Sequence, residues 1–538
     1  MLPIMHLAHA VHLTEELPAR PVRLCPITSK SSPLDSVQSA GWISLQFQGR
    51  QSSGAGSAPH PLPSTLHPRR QPAHRYASHM TAPPNTSSDS PSLLAGPRRA
   101  LTIGLVLVVT AAAFEALAVA TVMPAAQRAL GGLSLYGWTF SAYLLASLIG
   151  IAAAGEQCDA HGPARPFVAG LVLFAIGLTI AGLAPSMPVL VAGRAVQGLG
   201  GGAIPAVAYV AIGRGYDESL RPRMFAVLST VWVLPGLIGP ALAGAVAEYA
   251  SWRLVFLGLL PILAVATVLT VPGLRALGRP ESALPGERRV PRAIVLAAGT
   301  ALALAGAGSS IILIGAPIAV AGAAIAFAAL LQLMPRGTMR ASAGLPAAIA
   351  GMGLLNMAFF GTEAFVPLML TRLRDQSSIL AGVTLTSATL TWTSGAWLQE
   401  RTADRWQRAT VVRWGFALVA AGIGCMALVV WSDVPVWFAA LAWAIAGAGI
   451  GMAYTSISLI ALSASPRGGE GATSASLKLG ETLSAAVGAG AGGVLVAAGG
   501  HGDWLSGALL ATFGAMAAVA VLGALMSPRL GLHQTSFP

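Results

Sequence analysis

Fourteen apolar runs follow one another between residues 101 and 526, and nothing else in this chain constrains its fold as strongly. They cover residues 101–125, 137–155, 166–184, 188–213, 223–247, 253–272, 292–308, 311–333, 345–371, 378–398, 409–431, 435–462, 470–498 and 505–526. Most reach or approach the ~20 residues that span a bilayer as a helix. In hydrocarbon every backbone N–H and C=O needs an internal partner, so the runs are predicted to be helices. Only 10% of the 538 residues are charged, too few to cover a water-soluble surface of this size. A soluble enzyme, a disordered chain and a secreted disulfide scaffold are therefore excluded. The fold class expected is an all-α polytopic membrane protein.

Charge then sets orientation. The net charge of +12 would suggest nucleic acid in a soluble chain. Here, however, the bases are arginines in the short loops between apolar runs. Alternate loops, with the N-terminal side as the reference, hold nineteen arginines, and the opposite loops hold only Arg128, Arg253, Arg372 and Arg374. The positive-inside rule accounts for that bias without a nucleic-acid partner. Both termini are expected in the cytoplasm, the chain in the plasma (inner) membrane, and the number of spans even. Cys25, Cys158 and Cys425 are far apart and form neither a disulfide framework nor a zinc pattern.

Residues 1–97 differ in composition, rich in Pro, Ser, His and Arg, and are expected to be a disordered extension. His6, His9 and His12 are evenly spaced, but no carboxylate or cysteine completes a metal set, so no metal is expected. Met80 opens a short polar leader before the first span, and residues 1–79 are expected to lie outside the translated protein. The predicted domains are a bundle of six helices over 98–272, a linker with two extra helices over 273–340, a second bundle over 341–527 and a tail over 528–538.

Internal correspondences support two related bundles. Glu115 in the first run and Glu363 in the ninth are lone carboxylates midway along apolar segments, each followed by a proline, Pro124 and Pro367. Asp159 follows the second run, and Asp404, Arg405 and Arg408 follow the tenth. Gln197-Gly198-Leu199-Gly200-Gly201-Gly202 has a counterpart in Gly447-Ala448-Gly449-Ile450-Gly451. Repeats that enclose a midplane site are the architecture of secondary transporters.

On these residues the chain resembles the major facilitator superfamily, and within it the fourteen-span drug:proton antiporters, over about residues 100–527. The loop with Gly155, Asp159, Gly162 and Arg165 is similar to the superfamily's signature, with Ala160 and Pro166 where basic residues are usual. The resemblance implies a conformational latch there, to which Asp404 and Arg405 would contribute in the second half. A solvated loop carboxylate is the other reading of Asp159. Arg194 with Gln197 resembles the motif that places a buried arginine near the proton site. A charge inside a span costs several kcal/mol unless paired, so Arg194 either has a partner or reaches the nearer interface along its stem. Gly236, Gly239, Pro240 and Gly244, followed by Ser251-Trp252-Arg253, resemble the antiporter motif, with Ala243 where a second glycine is usual. Glu115 lies nine residues before Pro124, the spacing of the family's first-helix motif.

Glu115, Glu363 and Glu481 are the carboxylates within spans. Burial favours the protonated form, and a nearby arginine or an arriving cation favours the ionised one. That competition is what proton-coupled exchange requires, so Glu115 is expected to carry the coupling proton and Glu363 to assist or contact substrate. Lys478 and Glu481, three residues apart on one helix, either form a neutralised pair or take part in transport. Trp138, Trp252, Trp397 and Trp504 are read as an interfacial belt. The implied function is proton-driven export of hydrophobic or cationic small molecules by a monomer, with no cofactor beyond the proton gradient. Sodium coupling, an importer and a route dedicated to an endogenous metabolite or lipid remain alternatives. A membrane-embedded enzyme or receptor would need a catalytic histidine, a Cys/His cluster or a nucleotide loop, none of which is evident.

Overall fold

A computed structural model describes residues 93, 94, 96, 98–279, 289–402, 405–466, 469–499 and 504–531. The N-terminal extension with its histidines and Met80, residues 280–288, Asp404 and residues 532–538 lie outside the described residues.

Fourteen long helical segments follow the apolar runs, and no strand occurs among the described residues. The first six are α1 (Arg98–Leu130), α2 (Trp138–His161), α3 (Ala164–Gly182), α4 (Met187–Gly215), α5 (Arg221–Tyr249, interrupted at 231–232) and α6 (Arg253–Ala276). Next come α7 (Arg289–Ala307) and α8 (Ile312–Leu333). The last six are α9 (Leu345–Leu373, broken after Glu363), α10 (Ser378–Thr402), α11 (Arg408–Leu428), α12 (Phe438–Ser463), α13 (Glu470–Ala498) and α14 (Leu505–Met526). Thirteen of them are long and apolar enough to cross a membrane. The exception, α10, has full spanning length at 25 residues but carries a dense series of Thr and Ser. Several of its hydroxyls are satisfied within the helix: Thr384, Thr391 and Thr393 donate to carbonyls of their own preceding turn, at 2.9, 3.1 and 3.3 Å, whereas Thr386 Oγ1 is buried with no partner among the described residues.

Close helix packing reveals the repeat in atomic register. Gly198 and Gly202 of α4 abut the Tyr143 and Ser147 carbonyls of α2, and Gly150 of α2 abuts the Leu199 carbonyl in return. In the later half, Gly447 and Gly451 of α12 abut the Ala388 and Trp392 carbonyls of α10, and Gly395 of α10 abuts the Ala448 carbonyl. No β-carbon fits at any of these six points. Small residues let membrane helices approach this closely, and van der Waals contact then supplies the association that the hydrophobic effect cannot. The same register aligns Gly170 and Gly177 of α3 with Gly415 and Gly422 of α11, each against its neighbouring helix.

Two seams join the halves, and they are related in the same way. Gly244 of α5 abuts the Ser378 carbonyl, and Gly382 of α10 abuts the Pro240 carbonyl. On the opposite seam, Gly137 before α2 packs on Gly493 and on the Ala489 carbonyl of α13. Hydrogen bonds reinforce the closure: Tyr136 Oη donates to the Ala364 carbonyl at 3.0 Å, and Ser141 Oγ to that of Ala486 at 2.8 Å. The glycine contacts and the Tyr136 bond lie toward the end with few arginines, so the halves are closed on each other there. Leu296 and Ala297 of α7 lie with Leu145, Leu148 and Leu483 in a separate apolar cluster, so the extra helix pair is attached along α2 and α13.

The four arginines that break the charge bias also have a structural account for three of their number. Arg253 donates to the Gly182 and Ala184 carbonyls at 3.0 and 2.8 Å, closing the end of α3, while its guanidinium stacks over Trp252. Arg374 donates to four carbonyls just beyond α11, those of Val429, Trp431, Ser432 and Val434. Arg128 reaches the Thr371 carbonyl across the halves at 3.3 Å. Carbonyls at helix ends have no intrahelical donor, and a guanidinium supplies several at once.

Candidate functional site

Glu115 projects from the middle of α1 and Arg194 from the second turn of α4, 79 residues later in the chain. Their side chains are 1% and 3% exposed and form an ion pair between Arg194 Nη1 and Glu115 Oε1. Arg194 does not reach for the interface. The same Nη1 donates to Gln197 Oε1 at 2.6 Å, and Nε donates to the Thr139 carbonyl of α2 at 3.1 Å. The Tyr143 ring covers the guanidinium, 4.2 Å from its centre. The cation is thus held by one charge, two neutral acceptors and an aromatic face, which is how an arginine is tolerated inside a membrane protein. Gln197 Nε2 is buried with no partner among the described residues. Gly177 of α3 leaves space only for the Gln197 backbone, so Gln197 is held firmly at its place in α4.

In the other half the corresponding place holds no charge. By the glycine register, Leu199 matches Ala448, so Arg194 matches Trp443. Trp443 stacks on Phe359 of α9, ring centres 4.7 Å apart and planes within 21°. Phe359 therefore occupies the place of Glu115, and Glu363 sits one turn further along. The motif-based pairing of Glu115 with Glu363 is four residues away from this packing register. Phe359 also meets Trp392 edge to face at 5.7 Å, and Trp392 meets Tyr454 at the same distance. This aromatic cluster was not anticipated from the sequence, where only Trp138, Trp252, Trp397 and Trp504 are singled out, as a belt. Trp397 and Trp504 are exposed as a belt requires, but Trp252 is buried under Arg253.

Glu363 ends the first part of α9, immediately before the break at Ala364, and is 9% exposed. Its Oε2 is buried without a hydrogen-bond partner among the described residues. Glu481 Oε1 accepts from Lys478 Nζ at 2.8 Å, and Oε2 accepts from Tyr454 Oη at 3.2 Å. Lys478 is 43% exposed, so this pair is wetter than that of Glu115 and Arg194.

The loop residues are dispersed. Gly162 closes α2 with φ +80° and lies too close to the Gly278 carbonyl for a side chain, so the turn requires glycine. Asp159 and Arg165 are both exposed and form no ion pair with each other. Helix-end capping falls to Glu156, whose Oε1 accepts from the Arg289 and Val290 amides at the start of α7. Gly155 lies mid-helix in open space. Arg405 is exposed, and Asp404 lies outside the described residues. Gly236, Gly239, Pro240 and Gly244 are all buried on α5. Gly236 and Gly244 face α10 across the seam, and Gly239 faces Phe114, the neighbour of Glu115.

The Major Facilitator Superfamily model matches residues 103–489. The chain belongs to that superfamily. A relative described as a probable multidrug-efflux transporter, from Mycobacterium tuberculosis, is 28% identical over 70% of this facilitator and 83% of its own length. A multidrug transporter protein of Bacillus subtilis is 32% identical over 33% of each chain. Among solved structures, the POT family transporter PepTSo superposes with a TM-score of 0.61 at 13% identity, over 82% of this chain and 99% of its own, a likeness of fold. This facilitator is a multi-pass membrane transporter for small molecules and not an enzyme.

Proposed function

We propose that the protein exports hydrophobic or cationic small molecules in exchange for protons, by alternating access between its two bundles. The observation that carries this reading is the buried Glu115–Arg194 pair. With Glu115 ionised the pair is neutral overall. Protonating Glu115 removes the only carboxylate in contact with Arg194 among the described residues and leaves a buried cation with Gln197, Thr139 and Tyr143, an arrangement that favours rearrangement of α1 against α4. A cationic substrate that competes for Glu115 acts on the same balance, so proton and substrate exclude each other. Glu363, with an unpartnered oxygen, is the second group offered to a cationic substrate, and the Lys478–Glu481 pair borders the same half. Asp159, Arg165 and Arg405 would serve as the latch of the opposite conformational state.

A relative described as a probable multidrug-efflux transporter in Mycobacterium tuberculosis and one described as a multidrug transporter protein in Bacillus subtilis support the substrate class. The arginine bias supports cytoplasmic termini in a plasma membrane. Both halves come from one chain, which supports a working monomer.

The test is transport by a Glu115→Gln protein in proteoliposomes with an imposed pH gradient. Proton-driven transport is expected to fall about 5–150-fold, the range of one coupling free energy, while substrate exchange without a gradient persists. Undiminished gradient-driven transport would remove Glu115 from the coupling role.

A further inference from the structure

A groove outside the Glu115 site points to a second kind of ligand. A cavity of about 490 Å³ opens between α8, α9, α13 and α14 at the arginine-rich end of the molecule. Its walls are apolar, with Met334 just after α8, Ile349 and Leu354 of α9 and Leu483 of α13 among them. Gly480 lies in its floor, with Ile349 and Met334 no nearer than 3.6 Å to where a β-carbon would be. Leu522 and Leu525 of α14 line it while remaining 54% and 69% exposed, so the groove opens sideways toward hydrocarbon rather than into the bundle. Two cations, Arg340 and Arg529, also line it, and among the described residues no carboxylate does. Arg529 Nη1 donates to the Arg340 carbonyl at 2.9 Å, which holds the two residues together.

An apolar slot open to the membrane, with two guanidinium groups at the end nearest the headgroups, is complementary to one kind of molecule. We propose that this groove holds an anionic phospholipid of the arginine-rich leaflet. Its phosphate would lie between Arg340 and Arg529, and an acyl chain would follow Leu525, Leu522 and Met334 toward Gly480. Basic pockets between membrane helices on that side are where anionic headgroups bind. The site does not depend on the transport reading, because none of its lining residues is among those that hold Glu115 and Arg194 together.

The test reconstitutes the intact protein in nanodiscs of phosphatidylcholine with a minor share of phosphatidylglycerol, followed by native mass spectrometry of the lipid it retains. Phosphatidylglycerol is expected to be enriched, with a loss of about five-fold for each arginine removed. Arg340→Gln is the first variant, since only the carbonyl of Arg340 bonds Arg529. Arg340→Gln with Arg529→Gln is the second. Gly480→Phe fills the floor and is expected to reduce retention with both arginines present. Equal retention of the two lipids, or retention unchanged in both arginine variants, would overturn the proposal. Competition by glycerol phosphate as effective as by the whole lipid would show a plain anion site and overturn it as well. So would displacement of phosphatidylglycerol by a hydrophobic cation such as ethidium, which would make the groove a substrate entry.

Discussion

An Arg194→Leu protein is expected to lose about 3–5 kcal/mol of stability, and adding Glu115→Leu to it is expected to return most of that loss. Removing the arginine alone leaves Glu115, 1% exposed, as a carboxylate with no compensating charge. Removing both partners leaves apolar side chains in an apolar place. The later half provides the precedent, because the Phe359–Trp443 stack holds the corresponding α9 and α12 positions together without charge. A double-mutant cycle read by thermal denaturation in detergent micelles measures the coupling. Losses that simply add would mean that Glu115 and Arg194 are stabilised separately. The cycle also separates two properties: the doubly apolar protein is expected to fold and to fail in gradient-driven transport.

Leucine at Gly382 is expected to open the arginine-poor end. A β-carbon there collides with the Pro240 carbonyl across the seam, and backbone cannot rotate away as a side chain can. Overpacking of this kind costs about 1–3 kcal/mol, which shifts the balance between closed and open arrangements by about 5–150-fold. Spin labels on Ser134→Cys, between α1 and α2, and Arg372→Cys, in the last turn of α9, both exposed at that end in different halves, report the separation. Gly382→Leu should lengthen the distance distribution. Gly424→Leu, where nothing lies within 4 Å, should leave it unchanged. An unshifted distribution for Gly382→Leu would mean that the seam relaxes in place and does not gate access.

The spans were legible because hydrocarbon admits only one way of satisfying a backbone, so length and polarity suffice. Arg194 was legible as a charge in need of a partner. Its partner was not, because Glu115 is brought to it by packing between α1 and α4 that no local pattern encodes. The aromatic cluster was missed for a related reason. Trp392, Trp443 and Phe359 look like any apolar residues until the helices are in register. A signal was present: the four-residue spacing of Gly198 and Gly202 recurs at Gly447 and Gly451. Aligning the halves on it puts Trp443 at the place of Arg194. Matching Glu363 to Glu115 as its counterpart followed residue type instead, and residue type is what the two halves do not share here. The latch loop was readable as a turn, since Gly162 has the positive φ such a turn needs. Which carboxylate caps a helix there depended on Glu156 reaching α7, a contact 133 residues away in sequence.

The hydroxyl-rich helix α10 has a consequence for how the protein is made. Several of its threonines satisfy themselves along the helix, but they do not make it apolar, and among the described residues it is the one long helix that falls short of spanning on its own hydropathy. What buries it is largely α12, through Gly447 and Gly451, together with α5. The end of α12 leaves the ribosome about 60 residues after that of α10, a delay of roughly 3–12 s at ordinary rates of synthesis. During that interval α10 leans mainly on α5, already made, whose Gly236 and Gly244 face it across the seam. The glycines that serve the finished transporter as a joint between its halves thus serve the nascent chain first, as a berth for the helix least able to wait in lipid alone.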